Sequence, residues 1–433
     1  MTQQKVLDEI CYLFRLDKTS IRKTSEDFGS ELEEALQGKR SSLHILPSFL
    51  SSPSGNERGE YVTVDFGGTN IRAMLVSLRG KGQYSVLNEV RKPLKDPNNY
   101  YDLTRENTSV EEIFYFIAKL VSQVVQGQRE YLLGLTFSYP MYQESVDKAR
   151  LIHWTKELKP SHSVGRDIGD LLYTSLLQCG VKRVTPVAII NDSVASFLSG
   201  AYQNSAVCIG SICGTGHNTC YLEPTVKMSN GQPMIINIES GNFAMVPSNH
   251  YDELLDAKSE DPGGQRLEKM VAGKYMGELF RMVLLDLIEK DVLRWQIPIN
   301  HRLNQPFSLS TEVLGWLYAD TPQDRLLIGE WLKVNNIVAP NEQEISMLKI
   351  LSEAILDRSI KLIAASYIAV FNRLSFLNNA GKSIAVDGAV FKNIHGFTAG
   401  IEKILHKIPV KIIVTQNGSN IGAAVAASMT MRV

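Results

Sequence analysis

Val64-Asp65-Phe66-Gly67-Gly68-Thr69-Asn70-Ile71-Arg72 is the stretch on which the fold turns. An apolar run over 61–66 carries an acidic residue near its end, two glycines follow, and a second apolar run over 71–78 begins after Asn70. The pattern predicts two strands joined by a short polar turn. Glycine has no Cβ to hold a ligand away, so the amides of such a turn can point at anionic oxygens, and phosphate is the natural guest. Asp65 can hold Mg2+ through water, while Thr69 and Arg72 add a hydroxyl donor and a positive charge. An ordinary hairpin, with glycines serving turn geometry alone, fits the same residues, so a second observation is required.

That observation is Cys213-Gly214-Thr215-Gly216-His217-Asn218, which follows an apolar run over 206–212 and precedes another over 219–223. Its outline matches the first: apolar strand, glycine turn ending in Asn, apolar strand, as in a loosely duplicated unit. Two such turns can grip one nucleotide from opposite sides. Strand-like runs at 132–136 and 187–190 alternate with helix-like stretches at 109–125 and 168–179, the signature of α/β architecture. Helical periodicity also marks 6–16, 21–36, 345–377 and a long stretch over 265–293 that reads as one helix. Strands at 383–386 and 410–415 and a helix at 422–429 close the chain, and the Pro/Ser/Gly-rich segment 47–59 marks the start of a domain. No Gly-x4-Gly-Lys-Ser/Thr occurs, and no Gly-x-Gly-x-x-Gly follows a strand, so P-loop and dinucleotide-binding chemistry lose support.

The 433 residues exceed what one hydrophobic core usually serves, which predicts two domains or lobes. Lys and Arg number 45 against 46 Asp and Glu, so a net charge of −1 argues against nucleic acid as a main partner. No apolar run approaches the roughly 18 residues of a membrane span, and Asp8 and Glu9 fall where a signal peptide would be apolar. A cytoplasmic protein without a membrane partner is the expectation. Cys11, Cys179, Cys208, Cys213 and Cys220 are odd in number and widely spaced, and His217 lacks a spaced partner. They read as small buried hydrophobes rather than a disulfide framework or zinc site.

Asn191-Asp192 stands where the strand over 187–190 gives way to a helix, an arrangement that projects a carboxylate from a strand tip into a cleft. The competing reading of Asp192 is a helix N-cap. As a functional group it would accept a hydroxyl proton during phosphoryl transfer, for which a positioned, ionised Asp suffices. Ser138, Thr155, Lys156, Glu239 and Glu268 are polar residues in apolar or turn contexts. Such a set suits a polyol, whose hydroxyls each need a donor and an acceptor, although each residue singly also reads as a satisfied structural group.

More motifs align in order: Leu46-Pro47-Ser48-Phe49, Leu135-Thr136-Phe137-Ser138-Tyr139-Pro140, Trp154-Thr155-Lys156, Asn191-Asp192-Ser193-Val194, Pro262-Gly263-Gly264-Gln265-Arg266-Leu267-Glu268, Val386-Asp387-Gly388 and Gly418-Ser419-Asn420-Ile421-Gly422. Together with the two glycine turns, they resemble the hexokinase family within the wider group of actin-like ATPase folds. The resemblance implies a two-lobed α/β fold, ribonuclease H-like, with duplicated βββαβα units and a cleft between lobes. The smaller lobe would span 60–190 with a helix over 424–433 returning to it, and the larger lobe 1–59 and 191–423. It also implies ATP-dependent phosphorylation of glucose or a related hexose at the 6-hydroxyl, with Mg2+ as cofactor and ATP as co-substrate.

Carried over by motif, Ser138, Thr155, Lys156, Asn191, Asp192, Asn218, Glu239, Gln265 and Glu268 would surround the sugar, with Asp192 as base and Lys156 beside it as a second catalytic residue. Asp65, Gly67, Gly68, Thr69, Asn70 and Arg72 would face the phosphates and Mg2+, Thr215 and Gly216 would contact them from the other lobe, and Gly418 and Ser419 would lie near the adenosine. Three positions depart from the family pattern: Ser240 where Trp is usual, Asp261 where Asn precedes Pro-Gly, and Asn420 where Gly is usual. These departures keep open a sugar-binding regulator with little turnover. A non-sugar kinase of the same fold group is disfavoured by Thr136-Phe137-Ser138 and Glu268. Sugar-induced closure of the lobes is a further expectation, since water competes as acceptor.

Overall fold

The computed structural model describes residues 3–432 except 106, 153, 155–157, 159, 161–162, 338–340 and 377–382. The expected strand–turn–strand opens a five-stranded sheet made of β1 (Arg58–Phe66), β2 (Asn70–Gly80), β3 (Gln83–Pro93), β4 (Tyr131–Phe137) and β5 (Val184–Ile190). Its spatial order is β3-β2-β1-β4-β5. The first three strands form an antiparallel meander, and β4 and β5 add in parallel on the other side of β1. Parallel pairing requires crossovers, supplied by α1 (Val110–Val124) and α2 (Ile168–Gln178). Ser109 and Glu112 start α1 with a capping box, satisfying two amides that the helix leaves without partners.

A second sheet repeats this plan. Strands β6 (Val207–Cys213), β7 (His217–Lys227), β8 (Pro233–Asn237), β9 (Ser383–Asp387) and β10 (Lys411–Val414) lie in the order β8-β7-β6-β9-β10, with Leu46–Pro47 added at the β8 edge. Again three strands meander and two add in parallel beside the first. The duplication read from the two turns therefore extends to whole sheets, and the fold is the expected two-lobed α/β arrangement.

Helix α3 (Asp192–Gln203) covers β6 and β9 of the second sheet. The single helix expected over 265–293 is instead two, α4 (Arg266–Val271) and α5 (Gly273–Glu289). Ala272 between them is extended, and a side chain at Gly273 would press on the Gly214 carbonyl, so the chain turns there to meet the second glycine turn. The long helix α6 (Glu342–Phe376) follows, with the N-terminal helices Gln3–Leu13 and Lys18–Leu36 against it. The last helix, α7 (Gly418–Met429), starts earlier than the periodicity over 422–429 predicts. It crosses β1 and β4 and packs on α3, so α7 and α3 form two layers between the sheets. Gly134 and Gly422 permit this, because a Cβ on either would collide with backbone of the opposing element.

Three apolar clusters result: one on the outer face of each sheet and a third around α3 and α7 between them. Cys208, Cys213 and Cys220 are buried, whereas Cys11 and Cys179 are only partly so, and all five are free thiols. Among the described residues, no helix is long and apolar enough to cross a membrane.

Candidate active site

The ends of β1, β6 and β9 and the first turns of α3, α4, α5 and α7 converge on a cavity of about 720 Å³. Asp65, Gly67, Gly68, Thr69, Ser138, Asn191, Asp192, Thr215, Gly216, Asn218, Glu239, Gln265, Glu268 and Ser419 all line it. Asn70, Arg72 and Gly418 line an adjoining cavity of about 400 Å³, which shares Asp65, Gly67, Thr69, Asp387 and Ser419 with the first. Thr155 and Lys156 lie outside the described residues, as does the second catalytic role expected of Lys156. Every other residue singled out from the sequence thus reaches one of two connected spaces.

Asp192 is not the N-cap of α3. Asn191 takes that place, its side-chain oxygen accepting from the Ser193 amide at 2.9 Å and the Ser193 hydroxyl at 2.9 Å. The capping alternative for Asp192 therefore falls away, and its carboxylate stands in the first helical turn, where the positive end of the helix favours a negative group.

Around Asp192 runs a network of amides and carboxylates. The Asn218 side-chain amide reaches Asn237 Oδ1 at 2.9 Å, Asn191 Oδ1 at 3.2 Å and Glu239 Oε1 at 3.3 Å. Asn237 also donates to Glu239 Oε1 at 2.8 Å. Glu239 sits in the left-handed region at φ 45°. Burial, opposed by the Asn237 hydrogen bond and aided by the charges of Asp192 and Glu268, raises its acid from 4.5 to about 7. Glu268 is fixed by the His217 amide, which donates to Oε2 at 2.7 Å. The His217 ring donates from Nδ1 to the Ile212 carbonyl at 2.9 Å, since a carbonyl only accepts, and burial lowers its pKa to about 4. His217 therefore stays neutral across the physiological range.

The two glycine turns face the same space with different support. Gly67 donates to the Asn70 carbonyl at 3.2 Å, while Arg72 bonds Asn417 Oδ1 at 2.9 Å and Glu89 at 3.2 Å. The second turn receives two amides from the start of α5, Gly273 N–H on the Gly214 carbonyl at 2.7 Å and Lys274 N–H on that of Thr215 at 3.3 Å. A third, more apolar space of about 380 Å³ opens between both turns, lined by Gly68, Thr69, Thr215, Lys274, Phe307 and Val390 among others.

Sequence reasoning gave no role to Asn237, Lys274 or Asp387. Asn237 stands two residues before Glu239 and pairs in register with Cys220, two residues from Asn218, so strand register could have found it. Lys274 was hidden inside an apparently continuous helix. Asp387 ends β9, bonds the Gly388 amide at 2.7 Å and pairs with Lys392. Of the three departures, Ser240 is fully buried with its amide on Asn218 Oδ1 at 3.2 Å and its hydroxyl without a hydrogen-bond partner. Asp261 lines the main cavity. Asn420 lines the adjoining one, but its side chain is buried, with Oδ1 accepting from the Thr63 hydroxyl at 2.8 Å.

Comparison with known proteins matches this arrangement. Two sequence-family profiles, both described as hexokinase, cover residues 6–202 and 208–429. Hexokinase-1 of Schizosaccharomyces pombe is 28% identical across 99% of this chain and 91% of its own. Hexokinase-1 of Arabidopsis thaliana is 30% identical across 90% of this chain and 83% of its own. The structure of a Schistosoma mansoni hexokinase complexed with glucose superposes with a TM-score of 0.85, at 25% identity, over 99% of this chain and 100% of that one. With its duplicated sheets, its cleft and both halves matched, the chain belongs to the hexokinase family.

Proposed function

We infer that the ATP-dependent hexose phosphorylation carried by this family is performed here on the 6-hydroxyl of glucose or a closely related hexose, with Asp192 as the base. The observation that carries this reading is that Asp192 and both glycine turns line one cavity. Asn191, Asn218, Glu239, Gln265, Glu268 and Ser138 provide carboxylates, amides and a hydroxyl, a mixture that can donate to and accept from several sugar hydroxyls. The amide network around Asn218 holds Asn191 and Glu239 in place before substrate arrives, so little ordering of these two remains to be done on binding. Asp192 accepts the proton of the attacking hydroxyl late in transfer, because the phosphoryl transition state is loose.

The phosphates of ATP are read against Gly67, Gly68, Thr69, Asn70 and Arg72 on one side and Thr215 and Gly216 on the other, with Gly418 and Ser419 toward the nucleoside. Mg2+ fits the donors present. A small hard cation bound with phosphates asks for one or two carboxylates, and Asp65 and Asp387 each line both cavities. Among the described residues, no cluster of three or more His, Cys, Asp or Glu forms a separate cage. Asp65, through water, and Asp387 would hold the ion, which when bound neutralises phosphate charge. The division into a smaller lobe of 60–190 with 424–433 and a larger lobe of 1–59 and 191–423 is supported by α7 lying on the first sheet.

ADP release measured in a coupled assay with glucose, fructose and mannose tests the proposal. Release that depends on one of these hexoses is expected. Sugar binding by calorimetry without ADP release above the no-sugar background would favour a non-catalytic sugar binder.

A further inference from the structure

We infer that Lys269 is a positioning residue for the hexose, fixing the loop over 258–264 that carries Asp261 and delivers Gln265 to the cavity. The inference rests on the functional reading above and concerns a buried residue that lines none of the three cavities described for the site.

Gln265 has a backbone that needs support. Its φ of 49° lies in the left-handed region, and it starts α4 without a side-chain cap. A non-glycine residue keeps such a conformation when its surroundings hold it there. Just ahead of it, Gly263 is left-handed at φ 86°, and the Gly264 amide donates to the Asp261 carbonyl at 3.2 Å. A Cβ on Gly264 would stand 2.0 Å from Asp261 Oδ2, so the turn is folded tightly on the Asp261 side chain.

Lys269 follows Glu268 on α4, with its amide on the Gln265 carbonyl at 3.0 Å. Its ammonium donates to the Asp261 carbonyl at 2.5 Å and to Asp256 Oδ1 at 2.6 Å. Asp256, near the end of the helix His250–Ala257, also accepts the Gly263 amide at 2.9 Å and pairs with Arg266 at 3.1 Å. One buried ammonium therefore joins the start of the loop, its middle and the helix that bears Glu268. A helix C-terminus disfavours a carboxylate, and burial would raise the Asp256 acid, yet Lys269 and the Gly263 amide hold it below its ordinary 3.8. The support continues inward. One helical turn before Asp256, Asp252 accepts from the buried Arg358 of α6 at 2.7 and 2.8 Å, which fixes the helix His250–Ala257 to the long helix. Lys269 passes that fixed position on to Gln265.

The test uses the full chain with Lys269→Met, which keeps the length of the stem, removes the ammonium and leaves Arg266 to Asp256. Glucose Kd by calorimetry is expected to rise about tenfold, the size of a lost charge-assisted hydrogen bond, while Kd for Mg-ADP stays within about twofold. Because Lys269 acts through Gln265, adding Lys269→Met to Gln265→Ala is expected to weaken glucose by less than about twofold further. Unchanged glucose affinity in Lys269→Met overturns the inference, as does an equal weakening of Mg-ADP, which marks general loosening. A full tenfold loss on top of Gln265→Ala overturns it too, since the effect would then bypass Gln265. If the methionine variant does not fold, Asp256→Asn replaces it, with glucose weakened by about threefold and the same contradicting results. Failure of wild type to bind any hexose would instead sink the functional reading, a result distinct from each of these.

Discussion

The two glycine turns have one outline in sequence and opposite support in space. Around Gly67–Asn70, the turn is held by Gly67 N–H on the Asn70 carbonyl, by the Leu94 amide on the Thr69 carbonyl at 2.9 Å and by the Tyr139 hydroxyl on the Gly67 carbonyl at 3.3 Å. A Cβ on Gly67 would meet only the Asn70 carbonyl, at an ordinary 3.7 Å. Around Gly214–Gly216, α4 brings Glu268, α5 brings two amides, and Gly388 comes close enough that a Cβ on it would collide with the Cys213 carbonyl. A Cβ on Gly216 would stand 2.5 Å from Glu268 Oε2. The first turn is an open loop, where Gly67 leaves room for the ligand proposed above. The second is a keystone whose glycines serve its neighbours as well.

Substitutions should separate the two. Gly216→Ala is expected to have the largest effect: overpacking of about 1–3 kcal/mol in denaturant unfolding, and a rise in KM for hexose of about tenfold or more as Glu268 is pushed aside. Equal damage from Gly67→Ala would erase the distinction, because that variant is expected to change unfolding free energy by no more than about 0.5 kcal/mol and to act chiefly on KM for ATP.

Comparable in size to the Gly216 substitution is a pH effect on the keystone side. The Glu239 acid is raised in the folded protein from 4.5 to about 7, so the folded state binds its proton more tightly than the unfolded state. Its contribution to stability is therefore fully present below pH 4.5 and lost as pH rises through about 7, a difference of about 3 kcal/mol. Glu239→Gln is expected to flatten that decline in unfolding experiments between pH 5 and 8. A slope equal to wild type would show that the carboxylate is ionised throughout. Smaller again, Asn237→Ala removes donors to Glu239 and is expected to cost about 1–2 kcal/mol and to weaken hexose binding without altering KM for ATP. Last, Asn420→Gly, which leaves Thr63 without its acceptor at 2.8 Å, is expected to cost about 1 kcal/mol.

What the sequence made legible follows the same divide. Strand–turn–strand patterning showed both turns, and the carboxylate at Asp192 was visible because a buried strand ends beside it. The repeated sheet order could be anticipated from two such units, since each meander must leave its first strand free to accept parallel partners. Bracing was less visible because it comes from far along the chain: Glu268 lies about 50 residues beyond the turn it fixes, and Gly273 and Lys274 farther still. The break at Ala272 eluded periodicity, as apolar residues on α4 and α5 keep a helical rhythm through it while Gly273 obeys a tertiary contact with Gly214. Asn191 could have been recognised as the cap, because Asn and Asp are equally good N-caps and only the strand end chooses between them. Asn420, where the family pattern has Gly, has its side chain turned under β1 to meet Thr63.

The most direct test compares glucose binding and phosphoryl transfer in wild type and Asp192→Asn, using calorimetry for the first and sugar 6-phosphate formation for the second. The expected result is glucose affinity within about threefold of wild type and transfer slowed by about a thousandfold. Transfer within tenfold of wild type, with the sugar still bound, would contradict the assignment of that carboxylate as the base.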